Sequence, residues 1–141
     1  MPKKPNHNER PLTPAELDNV VPLIRNSLIG RYNRGIRSPI SGKDMCSKLR
    51  DKAGIVLNPS RLRKMIHHIA VAGLPVNLVL CASNKGYFVT TDSSKVQDYK
   101  NSLEHRLSAM LRRFRAVERD LAALENRKQL KITELLNEYQ D

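Results

Sequence analysis

The residues of this chain best suited to chemistry lie between positions 58 and 72, Asn-Pro-Ser-Arg-Leu-Arg-Lys-Met-Ile-His-His-Ile-Ala-Val-Ala. Asn58 suits an N-cap, Pro59 the first helical position and Gly73 a left-handed stop, so the segment predicts a helix over 58–72. At 100° per residue Leu62, Met65, Ile66 and Ile69 fall on one side. Ser60, Arg63, Lys64 and His67 fall on the other, with Arg61 and His68 on the flanks. A guanidinium fork, an ammonium, an imidazole and a hydroxyl on one face make a cationic, hydrogen-bonding surface. A helix laid into a DNA groove needs such a face, and the fork of Arg63 can pair two acceptors of a guanine at once. A solvated basic helix looks the same, so the neighbouring segments must decide.

Other chemistry finds little support. No nucleophile pairs with a base, no glycine-rich phosphate loop occurs, and Asp44 and Asp51 read as helix surface, so no enzyme is expected. His67 and His68 are adjacent on a helix with no Cys-x-x-Cys beside them, which argues against a metal site. No cofactor or small-molecule substrate is implied. Cys46 and Cys81 sit inside apolar patterns and read as small core residues. Residues 1–10 have no apolar core behind their charges, unlike a signal peptide, and no apolar run approaches the roughly 20 residues that span a bilayer. The expectation is a soluble protein of a reducing compartment.

Charge narrows the partner. The 141 residues carry 25 Lys+Arg against 14 Asp+Glu, a formal charge of +11. Residues 1–91 hold 15 basic and 5 acidic side chains, a balance of +10; residues 92–141 hold 10 and 9, a balance of +1. The excess sits on the first two-thirds, which points to a polyanion there. Aromatics make up only 4% and do not interleave with the basic residues, so RNA or single-strand stacking lacks support.

The elements that must position this helix can be read in order. Residues 1–11 are polar, basic and proline-containing, and predict a disordered arm. Thr13-Pro14-Ala15-Glu16 reads as a capping box, followed by inward Leu17, Val20, Val21, Ile24 and Leu28 to about Ile29, with Pro22 a place to kink or restart. Residues 31–37 read as a basic loop carrying Arg31, Arg34 and Arg37, and Pro39-Ile40 as a short extended piece. Ser41 caps a second helix with Met45, Cys46 and Leu49 inward, ending near 52–54. Residues 76–81 and 86–90 read as strands joined by the turn Ala82-Ser83-Asn84-Lys85, with Gly86 available for positive φ. Helix, short strand, two helices and a hairpin is the winged helix-turn-helix order, expected over 12–91.

From Asp92 the period changes. No Pro or Gly follows Gly86, and residues 92–141 predict one long helix, roughly 70 Å at 1.5 Å per residue. Leu103, Leu107, Met110, Phe114, Val117, Leu121 and Leu124 alternate spacings of four and three, a heptad seam. Lys128 and Lys131 interrupt it, and Ile132, Leu135, Leu136 and Tyr139 resume in a shifted phase. A coiled-coil homodimer through this helix is the expectation, against packing of the seam on its own domain. The fold class expected is mainly α with a small β-hairpin.

The residues also support a comparison. Pro39-Ile40-Ser41-Gly42-Lys43-Asp44-Met45-Cys46, Gly73-Leu74-Pro75-Val76, Ser83-Asn84-Lys85-Gly86-Tyr87-Phe88-Val89 and Tyr99-Lys100-Asn101-Ser102-Leu103-Glu104-His105-Arg106 resemble small winged-helix proteins of bacteriophages and prophages. The resemblance covers about residues 36–125. It implies double-stranded DNA binding in phage replication or transcription control, in the cytoplasm of a bacterial host. The linker 51–57 is longer and more apolar than the compact turn of that pattern. On this reading the helix 58–72 enters the major groove, with Ser60, Arg63, Lys64 and His67 nearest the bases. Arg31, Arg34, Arg37, Arg61 and the wing residue Lys85, within 82–87, hold phosphates. The competing expectation is a protein-interaction adaptor, with the winged helix as scaffold and the rod as the partner-binding element.

Overall fold

The computed structural model describes residues 10–138. Residues 1–9 of the expected arm 1–11, and Tyr139 in the shifted seam, lie outside them. The chain divides into two compact units, residues 1–99 and 100–141. It is mainly helical, with a two-stranded antiparallel sheet and a long C-terminal helix.

The first unit opens on the expected box: Glu16 N–H donates to Thr13 Oγ1 (3.1 Å) and Thr13 N–H to Glu16 Oε1 (2.9 Å). The next turn, Glu16–Val20, is π-helical and runs into α1, Val21–Asn33. Val21 N–H reaches back five residues to the Glu16 carbonyl. Pro22 has no N–H to give and its ring would crowd the carbonyl four residues before it; the wider turn ahead of it relieves both demands. The helix therefore restarts at Pro22 and ends later than expected, so Arg31 belongs to α1.

Helix α2, Gly42–Ala53, starts where Ser41 Oγ accepts from Asp44 N–H at 3.1 Å. It stops at Gly54, φ 67°, where Gly54 N–H donates to the Arg50 carbonyl and Ile55 N–H to that of Leu49. The apolar linker that follows is tied down: Ile55 and Leu57 pack on the core while Val56 stays exposed. Helix α3, Pro59–Ala72, begins with Asn58 Oδ1 accepting from Arg61 N–H at 2.8 Å and ends at Gly73.

Strands β1, Val79–Ser83, and β2, Gly86–Thr90, pair from Val79↔Thr90 to Ser83↔Gly86 around the turn residues Asn84 and Lys85. β1 starts later than the sequence suggests. Val76 and Asn77 have positive φ, 56° and 62°, in a turn closed by Leu78 N–H on the Pro75 carbonyl, so Val76 points to solvent rather than into a ladder. Ile40 exchanges two backbone hydrogen bonds with Tyr87, 2.9 and 2.8 Å, adding a one-residue third strand beside β2.

The core gathers Ile24 and Leu28 of α1, Met45 and Leu49 of α2, Leu62, Met65, Ile66 and Ile69 of α3, and Leu80 and Val89 of the hairpin. Cys81 is buried, Cys46 half-buried, and both are free thiols that burial pushes above the usual range. Tyr32 Oη meets Thr91 Oγ1 at 3.0 Å, pinning the end of α1 to the exit of β2.

Helix α4, Ser93–Glu138, is a single run of 46 residues. Asp92 caps it, with its carboxylate accepting from Ser94 N–H at 2.9 Å. The seam residues Leu103 to Leu124 are 44–68% exposed.

Candidate nucleic-acid interface

Helix α3 carries the most developed polar surface. Its buried side is the expected one, and the burial of Leu62, Met65, Ile66 and Ile69 turns Arg63 and His67 to solvent and leaves Ser60 and Lys64 half-exposed. The spacing 60, 63, 64, 67 keeps the four polar residues on one face across two turns. Arg63 Nη2 donates to Ser60 Oγ at 3.1 Å, which holds the fork along the helix. His68 is also exposed.

Arg61 does not belong to this face. It was expected to hold a phosphate, yet it is only 1% exposed and its guanidinium is spent inside the fold. Nε donates to Glu16 Oε2 (2.8 Å), Nη2 to Glu16 Oε1 and to the Pro11 carbonyl (3.0 Å), and Nη1 to the Arg10 carbonyl (2.6 Å). A flank position can turn toward core or solvent, and a carboxylate waiting at the start of the first helix decides it. The guanidinium holds the Glu16 carboxyl down to about 2, aided by the Thr13 hydrogen bonds and opposed by burial. The same pair fastens residues 10 and 11, so this end of the expected arm is built into the domain.

The hairpin turn lies where the turn chemistry put it, with Lys85 exposed at its tip and its N–H on Ser83 Oγ. Behind this turn, Tyr87 stands against Gly42: a Cβ on Gly42 would lie 3.9 Å from the Tyr87 ring and 3.7 Å from Leu62 Cδ2. The N-terminus of α2, the start of α3 and β2 thus converge. Burial pushes the Tyr87 hydroxyl up, and the positive charge of Arg63 partly offsets it, which puts Arg63 within electrostatic reach of β2.

The three loop arginines divide. Arg31 Nη2 closes the loop on the Ser38 carbonyl (2.9 Å), and Arg37 donates to the Tyr32 carbonyl (2.7 Å) while stacking 4.1 Å over the Tyr32 ring. Each uses one donor of its fork locally. Arg34 caps the end of α1 and is exposed.

Two further cations escaped the sequence reading. Lys48 and Lys52 stand one turn apart on α2, and desolvation, followed by the charges of Lys52, Arg31 and Arg34, lowers the pKa of the Lys48 ammonium. A cleft of about 220 Å³ between α1 and α2 is lined by Arg34, Lys48 and Lys52 together with Leu23, Met45 and Leu49. The sequence held the signal, an i, i+4 pair of lysines on a helix following a run of arginines, but not that α1 and α2 line one cleft.

Among the described residues no group of His, Cys, Asp or Glu could hold a metal ion, and no helix is long and apolar enough to cross a membrane. Comparison with protein families, curated proteins and solved structures gives no match to this chain.

Proposed function

We propose that this chain is a double-stranded DNA-binding protein in which residues 10–91 form a winged helix-turn-helix and α3 lies in the major groove. The observation that carries the reading is the face of α3 opposite the core, where Ser60, Arg63, Lys64 and His67 share one side of a helix held on its other side by four buried apolar residues. The helix order, the Ile40–Tyr87 bridge and the two-residue hairpin turn support the winged arrangement. The balance of +10 on residues 1–91 supports a polyanion. Arg31, Arg34, Arg37 and Lys85, joined by Lys48 and Lys52, serve phosphates, and α4 joins two copies. The sequence resemblance to phage and prophage proteins supports a role in replication or transcription control in a bacterial cytoplasm.

Titration of a mixed-sequence duplex at several salt concentrations tests the reading. Displacing counterions from about six phosphates lowers affinity roughly 10³-fold between about 50 and 200 mM salt. Binding that is absent at low salt, or flat across the series, removes DNA as the ligand. It would favour the adaptor reading, for which the exposed stripe of α4 is the supporting observation.

A further inference from the structure

We propose that α4 pairs with α4 of a second copy in parallel and in register. This rests on the reading of α4 as the surface that joins two copies, and it fixes the geometry of that surface. Spacings of four and three assign Leu107, Phe114 and Leu121 to heptad position a, and Leu103, Met110, Val117 and Leu124 to position d. All seven are 44–68% exposed within one chain. The a positions flanking this block are Lys100 and Lys128.

Counting layers separates the two orientations. In a parallel pair a packs on a and d on d, so all seven apolar positions meet their own kind, and Lys100 meets Lys100 and Lys128 meets Lys128 only outside the apolar block. In an antiparallel pair each d must face an a. Four apolar d positions then compete for three apolar a positions, and one leucine of each chain is always set against Lys100 or Lys128. Burying that ammonium, or leaving the leucine in water, is a cost the parallel pair does not carry.

The flanking charges agree. Position g holds Arg106, Arg113, Asp120 and Arg127, and position e holds Glu104, Leu111, Glu118 and Glu125. A parallel pair sets g against e, which brings Arg113 to Glu118 of the second copy. An antiparallel pair sets g against g and e against e; in the register that places Leu103 on Lys128 this brings Glu104 to Glu125 and Arg106 to Arg127, two like-charge pairs against the single favourable pair of Arg113 with Asp120. Asp120 is the exception in its row and faces Glu125 in the parallel pair. Its carboxylate is held by Arg119 of its own helix at 3.2 Å, which blunts that repulsion.

Single cysteines read the orientation directly. In a parallel pair two copies of Leu103→Cys, or two of Leu124→Cys, stand within disulfide reach. In an antiparallel pair the two copies of position 103 are roughly 30 Å apart along the helices. Each full-length variant is first sedimented under reducing conditions and then oxidised, beside wild type as the baseline for Cys46. The proposal expects dimers that become nearly fully cross-linked for each variant alone, with little linkage between the two when mixed. Dimers that sediment normally but do not cross-link to themselves overturn the parallel orientation and leave the dimer standing. A wild-type chain that sediments as a monomer overturns the dimer reading, and the orientation with it.

Discussion

Glu16 and Arg61 are 45 residues apart and form the one buried ion pair among the described residues. Arg61 is almost wholly enclosed and Glu16 largely so, and the arginine also donates to the backbone carbonyls of Arg10 and Pro11. Removing the guanidinium strands a carboxylate and two carbonyls, and Arg61→Ala should cost about 3 kcal/mol of unfolding free energy in denaturant. The pH dependence has a definite sign. The Glu16 carboxyl is held at about 2, below its ordinary 4.5. Its contribution is therefore complete above pH 4.5 and fades as the pH falls toward 2. Wild type should lose stability across that window, and Glu16→Gln should lose much less; equal slopes would deny the pair its role. On the outer face the effects differ in kind. Arg63→Ala should cost roughly 1–3 kcal/mol on the preferred sequence and relax preference at one position, whereas Lys85→Ala should weaken all duplexes alike. Equal, sequence-independent losses would mean that α3 does not read bases. The sequence showed which residues of α3 are polar. It did not show that Arg61 turns inward, because at a flank position the partner decides, and the partner lies on another element.

Elements were legible wherever a local rule governs them. Thr13, Ser41 and Asn58 cap as their side-chain chemistry dictates, and Gly54 and Gly73 end helices with positive φ. The start of β1 was not legible, because Val76 has strand propensity but occupies a left-handed turn. Pairing with β2 sets where β1 begins, and residues 75–78 serve only to bring the chain there. Gly86 joins two demands. Its φ is 137°, and a Cβ there would strike the Ile40 carbonyl and lie 2.7 Å from Ser41 N. Gly35 also has positive φ, 80°, but a Cβ there meets nothing. Gly35→Ala therefore carries backbone strain alone, of order 1 kcal/mol. Gly86→Ala must in addition push the hairpin from the Ile40 strand. Its melting temperature should fall further than that of Gly35→Ala, and the amides of Ile40 and Tyr87 should exchange faster with solvent. Equal melting temperatures, with both amides still protected, would mean that the bridge yields without cost.

At the scale of the whole molecule the two units differ in what they leave uncovered. The first buries an apolar core and carries most of the excess positive charge: residues 1–99 hold 16 basic and 7 acidic side chains, a balance of +9, and residues 100–141 hold 9 and 7, a balance of +2. The second has almost balanced charge and exposes its apolar stripe, with Phe114 58% and Leu107 68% accessible. A stripe of that length is stable in water only when covered, and seven apolar layers without a break suit a second helix of the same kind. Phe114 is the central layer of the seven. A carboxylate at that position would lose its water on pairing and find no cation in the seam, so Phe114→Glu should break the pair while leaving the first unit folded. Sedimentation should show a wild-type dimer at tens of micromolar and a monomer for Phe114→Glu, with the same thermal transition for the first unit in both. The substitution should also weaken binding to a two-half-site duplex far more than to a single half-site, because the second contact ceases to be intramolecular. A dimer that survives Phe114→Glu would move the interface off the seam, and a loss equal on both duplexes would mean that the two copies do not bind DNA together.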